Sequence, residues 1–181
     1  YVSAFDQPIS GQLVVHLVFS LSSFLGCVGT TQDDGGRSHC GDAIDWEEAM
    51  STIVFYHGDC PDGFASAFAA WLALGDSAQY CPVQHKDTLP DVTGDTVYML
   101  DIAFDRAVME RLSEQAASLV VLDHHQTAKE SLEGFRCKCG HIHFDLSHSA
   151  AYLAWKYFHP NTEIPELIQH VEDRDLLKWD I

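Results

Sequence analysis

Positive charge is what this chain has least of. It carries 10 Lys and Arg against 27 Asp and Glu, a formal net charge of -17. Sequence-independent binding of duplex nucleic acid works by neutralising phosphates with Lys and Arg, so a long-duplex partner is disfavoured. Residues 51–181 alone hold nine Lys and Arg against twenty Asp and Glu, so the acidity lies mainly there. A disulfide framework is lacking too. Cys27, Cys40, Cys60, Cys81, Cys137 and Cys139 follow no scaffold spacing, in a chain long enough to bury a core of its own. Reduced thiols in a cytoplasmic protein are the expectation. No cofactor box stands out among the apolar stripes.

Long apolar runs are scarce as well. One covers residues 13–29, interrupted by His16 and preceded by no Lys or Arg, and a polar, glycine-rich stretch follows over 30–42. The run suits a signal h-region, the end of a membrane span, a hairpin or a non-native extension, and its pattern does not choose among them. Residues 1–50 are therefore set apart as an extension of unassigned role, with membrane association left open. The chain opens with Tyr1 rather than Met, as a fragment or a processed product would. Residues 51–181 form the expected domain.

What is present in that domain alternates. Short runs of apolar and β-branched residues from Thr52 to Tyr56, Gln79 to Val83, Thr96 to Leu100, Ser118 to Leu122 and His141 to Phe144 read as strands. Between them lie helical stripes: Phe64, Ala67, Phe68, Trp71 and Leu72, then Phe104, Val108, Leu112 and Ala116. A helix apolar on nearly all sides is expected over 150–158, and another stripe is formed by Ile164, Leu167, Ile168 and Val171. All these stripes are expected to be core. Strands alternating with helices give an α/β fold, a mainly parallel sheet with helices on both faces.

Chemistry-bearing residues collect where three of the strands end. The first is followed by His57-Gly-Asp59-Cys60-Pro61-Asp62-Gly63, the third by Asp101, and the fourth by Asp123-His124-His125. Strand ends in open α/β sheets are where ligands bind. Carboxylate and imidazole donors suit Mn²⁺, Mg²⁺ or Zn²⁺, and so many acids repel one another without cations. Cys137-Lys-Cys139-Gly-His141-Ile-His143 is a weaker candidate for zinc, because its Cys-x-Cys spacing is shorter than the usual two to four intervening residues. An ordinary strand is the favoured reading there.

In this order the motifs resemble those of the DHH phosphoesterase superfamily, over roughly residues 51–181. Asp123-His124-His125 is similar to its name-giving motif, His57 with Asp62-Gly63 to its first, and Asp101 to its second. Asp173, in His170-Val-Glu-Asp173-Arg174-Asp175, is the best match to its fourth acid, with Asp175 read as a surface or ion-pair acid. The resemblance implies a DHH-type fold and two divalent cations, Mn²⁺ first, with Mg²⁺ or Zn²⁺ as alternatives. It implies His57, Asp59, Asp62, Asp101, His124 and Asp173 as metal ligands, with Asp101 bridging. Asp123 would orient an imidazole and His125 would face the scissile phosphate. Ser149 reads first as a helix cap, and the resemblance adds a substrate contact there.

The implied activity is hydrolysis of a phosphodiester or phosphoanhydride in a small substrate or short oligonucleotide, by a metal-activated water. The alternative is a catalytically weak module that binds metal and nucleotide. One departure bears on the metals. Many family members carry acids four and six residues after the first histidine, whereas here they lie two and five after it, and Cys60 takes the place of the first. Either Asp59 reaches the metal from a shifted loop, or Cys60 is a thiolate ligand favouring Zn²⁺, or one site is weaker. Family members generally have a C-terminal domain that binds substrate, and the sequence ends at Ile181 before any such domain.

Overall fold

The structure, a computed structural model, describes residues 50–179. Residues 1–49, which hold the apolar stretch of the extension, and Asp180 and Ile181 lie outside the described residues. A five-stranded, all-parallel sheet is built from β1 (Thr52–His57), β2 (Ala78–Val83), β3 (Thr96–Leu100), β4 (Ser118–Asp123) and β5 (Gly140–Phe144), in the order β2-β1-β3-β4-β5. All five expected strands are present, each within a residue of its expected bounds. Parallel strands covered on both faces need near-continuous apolar sequence, and β4 is buried from Leu119 to Asp123.

The helices are α1 (Pro61–Leu74), α2 (Arg106–Gln115), α3 (Gln126–Ser131), α4 (Ala150–Phe158) and α5 (Glu166–Asp175). Successive side chains of a strand point to opposite faces, and the core divides accordingly. Phe55, Met99, Leu119 and Val121 pack with Met109 and Leu112 of α2 and Ala128 of α3. Val54, Leu100, Val120 and Leu122 pack with Ala65 and Ala69 of α1, Ala154 and Trp155 of α4 and Ile168 of α5. Each fully buried Leu, Val or Met in these layers contributes about 1.5–3 kcal/mol. Among the described residues no helix is long and apolar enough to cross a membrane.

The expected face of α1 is corrected. Phe64, Trp71 and Leu72 are exposed, while Ala65, Ala69 and Ala70 are buried; Ala67 of the expected face is buried as expected. Helix α1 lies against both the sheet and α4, and the small side chains permit that close approach. Periodicity found the helix; the bulk of its residues misled about which side faces in. Leu167 of α5 is likewise exposed, whereas Ile168 is buried.

Strand order reverses between β1 and β3. The chain runs from β1 outward to β2, then returns past β1 to lay down β3, β4 and β5 on the other side. In open α/β sheets such a reversal, at the carboxyl ends of the strands, is where ligands bind. His57 closes β1 and Asp101 follows β3, so both sit at this point.

Candidate metal centre

The loop after β1 is short and tightly held. Gly58 N–H donates to Val83 O at 3.0 Å, and Gln84 Nε2 donates to Gly58 O at 2.7 Å. Asp59 has a positive φ of 56°, and its side chain is exposed. Helix α1 then starts with Pro at its first position, where a missing N–H costs nothing. Gly63 sits so close to the end of β1 that a Cβ there would meet His57 O at 2.2 Å. The Asp-Gly pair of the first motif therefore has a steric reason. Only glycine lets the helix start against the strand end.

Asp62 is buried and reaches away from its own helix. Its Oδ2 accepts from Ala150 N at 2.7 Å and its Oδ1 from Ala151 N at 2.9 Å. The carboxylate thus docks α1 onto the N-terminus of α4, where unpaired N–H groups favour negative charge. Ser149 is fully buried and caps the same end, its Oγ accepting from Tyr152 N at 3.3 Å.

Asp101 is the centre of the arrangement. It has a φ of 62°, a left-handed conformation that a non-glycine residue adopts at a cost of order 1–3 kcal/mol. Its N–H continues the ladder to Leu122 O at 3.0 Å, and its side chain is 1% exposed. Oδ2 lies 3.3 Å from His57 Nδ1, while Oδ1 lies 3.3 Å from His124 Nε2. Neither approach has hydrogen-bond geometry, so both buried oxygens, and His57 Nδ1, lack a hydrogen-bond partner. Orphaned buried polar atoms cost about 1–3 kcal/mol each. Here they face one another across gaps that a cation would fill.

Three groups of donor atoms, each within 4.8 Å of one another, occur here, two sharing Asp101 and two sharing His124: His57, Cys60 and Asp101; Asp101, His124 and His125; Asp62, His124 and Asp175. His124 Nε2 has Asp62 Oδ2 at 3.5 Å, Asp101 Oδ1 at 3.3 Å and Asp175 Oδ2 at 3.4 Å. One imidazole nitrogen has one proton at most to share among three carboxylates. The donor set therefore fits divalent cations, with nitrogen and oxygen ligands throughout and one sulfur.

Asp123 organises the loop that carries the two histidines. Its Oδ1 accepts from His124 N at 2.7 Å and His125 N at 3.1 Å, and pairs with His125 Nδ1 at 2.7 Å. This hydrogen bond, with the charges of Asp123, Asp101 and Asp175, raises the His125 pKa to about 9 despite its partial burial. Burial and the nearby Asp101 charge raise Asp62 to about 7. Burial also raises Asp175, and it raises the Cys60 thiol to about 11. Burial pushes Asp101 up as well, but His124, Cys60 and His125 beside it prevail and hold it below the ordinary carboxylate value. For His124, burial lowers the pKa and the carboxylates around it outweigh that, so the net direction is upward. A cation bound here would displace the protons that raised pKa values favour on these groups.

Of the residues singled out in the sequence, the structure gathers His57, Asp62, Asp101, His124 and His125. Asp123 lies directly beneath them. Asp59 and Asp173 belong to none of the three groups. Asp173 is buried, lines a separate cavity of about 530 Å³ with Tyr152, Gln169 and Lys178, and its carbonyl accepts from Lys178 N at 2.9 Å. Asp175, read from sequence as a surface or ion-pair acid, is the α5 carboxylate that reaches His124, at 3.4 Å. Residues two apart on a helix point to nearly opposite sides, so only one of the pair can face the site. His85 was missed: its ring lies 5.9 Å from that of His57 and 6.2 Å from that of Phe104. It stands alone in a turn and carries no sequence signal. The Cys137 and Cys139 segment forms no metal group among the described residues. The Ser113 hydroxyl donates to Cys137 Sγ at 3.5 Å, and the Cys139 thiol donates to Ser113 O at 3.5 Å.

No known family profile matches the chain, and no solved structure does. A protein of Acanthamoeba polyphaga mimivirus, described only as uncharacterized, is similar to it, with 29% identity over 145 residues. That similarity covers 71% of this chain and 34% of the viral protein, so the chain spans about a third of that relative's length.

Proposed function

We propose that this domain is a metal-dependent phosphoesterase of the DHH type, acting on a small phosphorylated substrate or a short oligonucleotide. The observation that carries the reading is Asp101. It is a buried carboxylate in a left-handed conformation at the topological switch point, with one oxygen turned to each of two donor groups. A carboxylate so placed suits a bridge between two cations, Mn²⁺ being the first expectation. His57 lies on one side of the bridge, Asp62, His124 and Asp175 on the other.

Divalent cations held there supply a nucleophilic water at neutral pH and offset charge on the phosphoryl oxygens. The chain's own part is placement. Asp123 holds His125 through Nδ1, which leaves Nε2 as the atom available to a phosphoryl or leaving oxygen. His125 is the most exposed of the site histidines that pair with Asp101, at 39%, as a substrate-facing group must be. Asp62 ties the second donor group to the α4 N-terminus, so Ser149 and the N–H groups beside it lie next to the centre. The scarcity of Lys and Arg favours small substrates over long polyanions. Free thiols at Cys60, Cys81, Cys137 and Cys139 accord with a reducing, cytoplasmic setting.

Turnover of bis-p-nitrophenyl phosphate with added Mn²⁺ tests the reading. Metal-dependent release of p-nitrophenol, abolished by a chelator and by His125→Ala, is the expected result. Tight binding of two cations without turnover of this ester or of short oligonucleotides would instead identify a metal- and nucleotide-binding module.

A further inference from the structure

Asp59 and Cys60 compete for one role at the end of β1, and the backbone separates them. With its φ of 56°, Asp59 turns its carboxylate to solvent. Cys60 follows in an extended conformation, φ -120° and ψ 128°, at the N-cap of α1. An N-cap side chain normally accepts from the first helical turn, but the Cys60 side chain makes no such bond. Its Sγ instead lies within 4.8 Å of a His57 ring nitrogen and of an Asp101 carboxylate oxygen.

We infer that Cys60 is a thiolate ligand of the cation held by His57 and Asp101, which makes this position a nitrogen-sulfur-oxygen site selective for Zn²⁺-type ions. The inference rests on the metal centre proposed above and is independent of what that centre hydrolyses. Three facts support it. The two partners of Cys60 are buried or half-buried and present unpartnered atoms, His57 Nδ1 and both Asp101 oxygens. Metal bonds of about 2.0–2.1 Å at tetrahedral angles place nitrogen and oxygen donors about 3.4 Å apart, and His57 Nδ1 and Asp101 Oδ2 are separated by 3.3 Å. Three protein ligands leave a fourth tetrahedral position open, the pattern of zinc sites that do chemistry.

The consequence is a centre with two unlike halves. Soft sulfur favours Zn²⁺ over Mn²⁺ or Mg²⁺ at the first position. At the second, Asp62, Asp101, Asp175 and His124 offer hard oxygen donors and one imidazole, which accommodate Mn²⁺ or Mg²⁺.

Cobalt reports thiolate ligation directly, through a sulfur-to-Co²⁺ charge-transfer band in the near ultraviolet. The full chain, freed of metal, is titrated with Co²⁺ and compared with Cys60→Ser, Cys60→Asp and the double variant Cys137→Ser/Cys139→Ser. The wild type and the double variant should develop the band with the first equivalents bound, and both Cys60 variants should lack it. Cys60→Ser should lose Zn²⁺ affinity by more than about a hundredfold, beyond the 10–100-fold typical of outer-shell changes. Cys60→Asp should bind two cations again, with its preference moved towards Mn²⁺. Two Co²⁺ bound by the wild type without the band, or a band that survives in Cys60→Ser, would overturn the thiolate while leaving the two-cation centre intact. Failure of the wild type to bind any cation would remove the centre itself.

Discussion

The two donor groups on either side of Asp101 are built by different parts of the fold and differ in what surrounds them. On one side, His57 ends β1 and Cys60 ends the three-residue connection to α1, and His57 is 23% exposed. On the other, Asp62, His124 and Asp175 arrive from three segments far apart in sequence, and are 0%, 11% and 26% exposed. A local group can be altered one residue at a time. The group assembled from α1, the loop after β4 and α5 is also a structural junction, because Asp62 holds α4 as well. Asp101 lies between the two, 3.3 Å from a histidine on each side.

The largest effect should come from removing what the two groups share. Asp101→Asn keeps the shape and deletes the charge, so both cations should weaken together. Calorimetric titration with Mn²⁺ should find less than one equivalent bound, and activity should fall roughly a hundredfold or more, the scale of losing a main transition-state interaction. Two tightly held cations and near-normal turnover in this variant would dissolve the comparison altogether.

A smaller, one-sided effect is expected within α5. Asp175→Asn should weaken only the cation beside His124, by about 10–100-fold, and leave the His57 side unchanged. Asp173→Asn should leave both cation affinities in place and lower the unfolding midpoint by a few degrees, as for about 1–2 kcal/mol lost at a buried polar group. The reverse pattern would return Asp173 to the metal and Asp175 to the surface.

The smallest effect is one of slope. Asp62, raised from 3.8 to about 7, stabilises the metal-free fold fully below 3.8, and that contribution is lost as pH rises through 7. His125, raised from 6.5 to about 9, adds stability present below 6.5 and lost as pH rises through 9. Asp101 runs the other way, since its lowered pKa costs stability only in strong acid. Thermal melts in chelator should therefore show the midpoint falling from about pH 5 to 9. Saturating Mn²⁺ should flatten or invert that slope near neutrality, because the ligands must be deprotonated to bind. A flat profile without metal would mean the acids are not crowded as described.

Much of the fold was legible because the strands are buried on both faces and so read as unbroken apolar runs. The ends of those runs at His57, Asp101 and Asp123 marked the site for the same reason: charge begins abruptly where the sheet stops. Less legible was α1, where Phe64, Trp71 and Leu72 look like a core face. The alanines are the face that packs, since closeness to α4 and the sheet outweighs side-chain bulk.

By itself, then, the sequence determined the parallel α/β layering and the strand ends where acids and histidines collect, because burial and alternation are written locally in residue type. Tertiary structure decided between neighbours that composition treats alike. A positive φ sends Asp59 outward and leaves Cys60 against His57. The twist of α5 turns Asp175 rather than Asp173 towards His124. The crossing of α1 with α4 gives Asp62 two backbone N–H partners no nearby sequence predicts. Each choice depends on the direction of a side chain in space, which one turn or one helix step reverses without changing the composition at all.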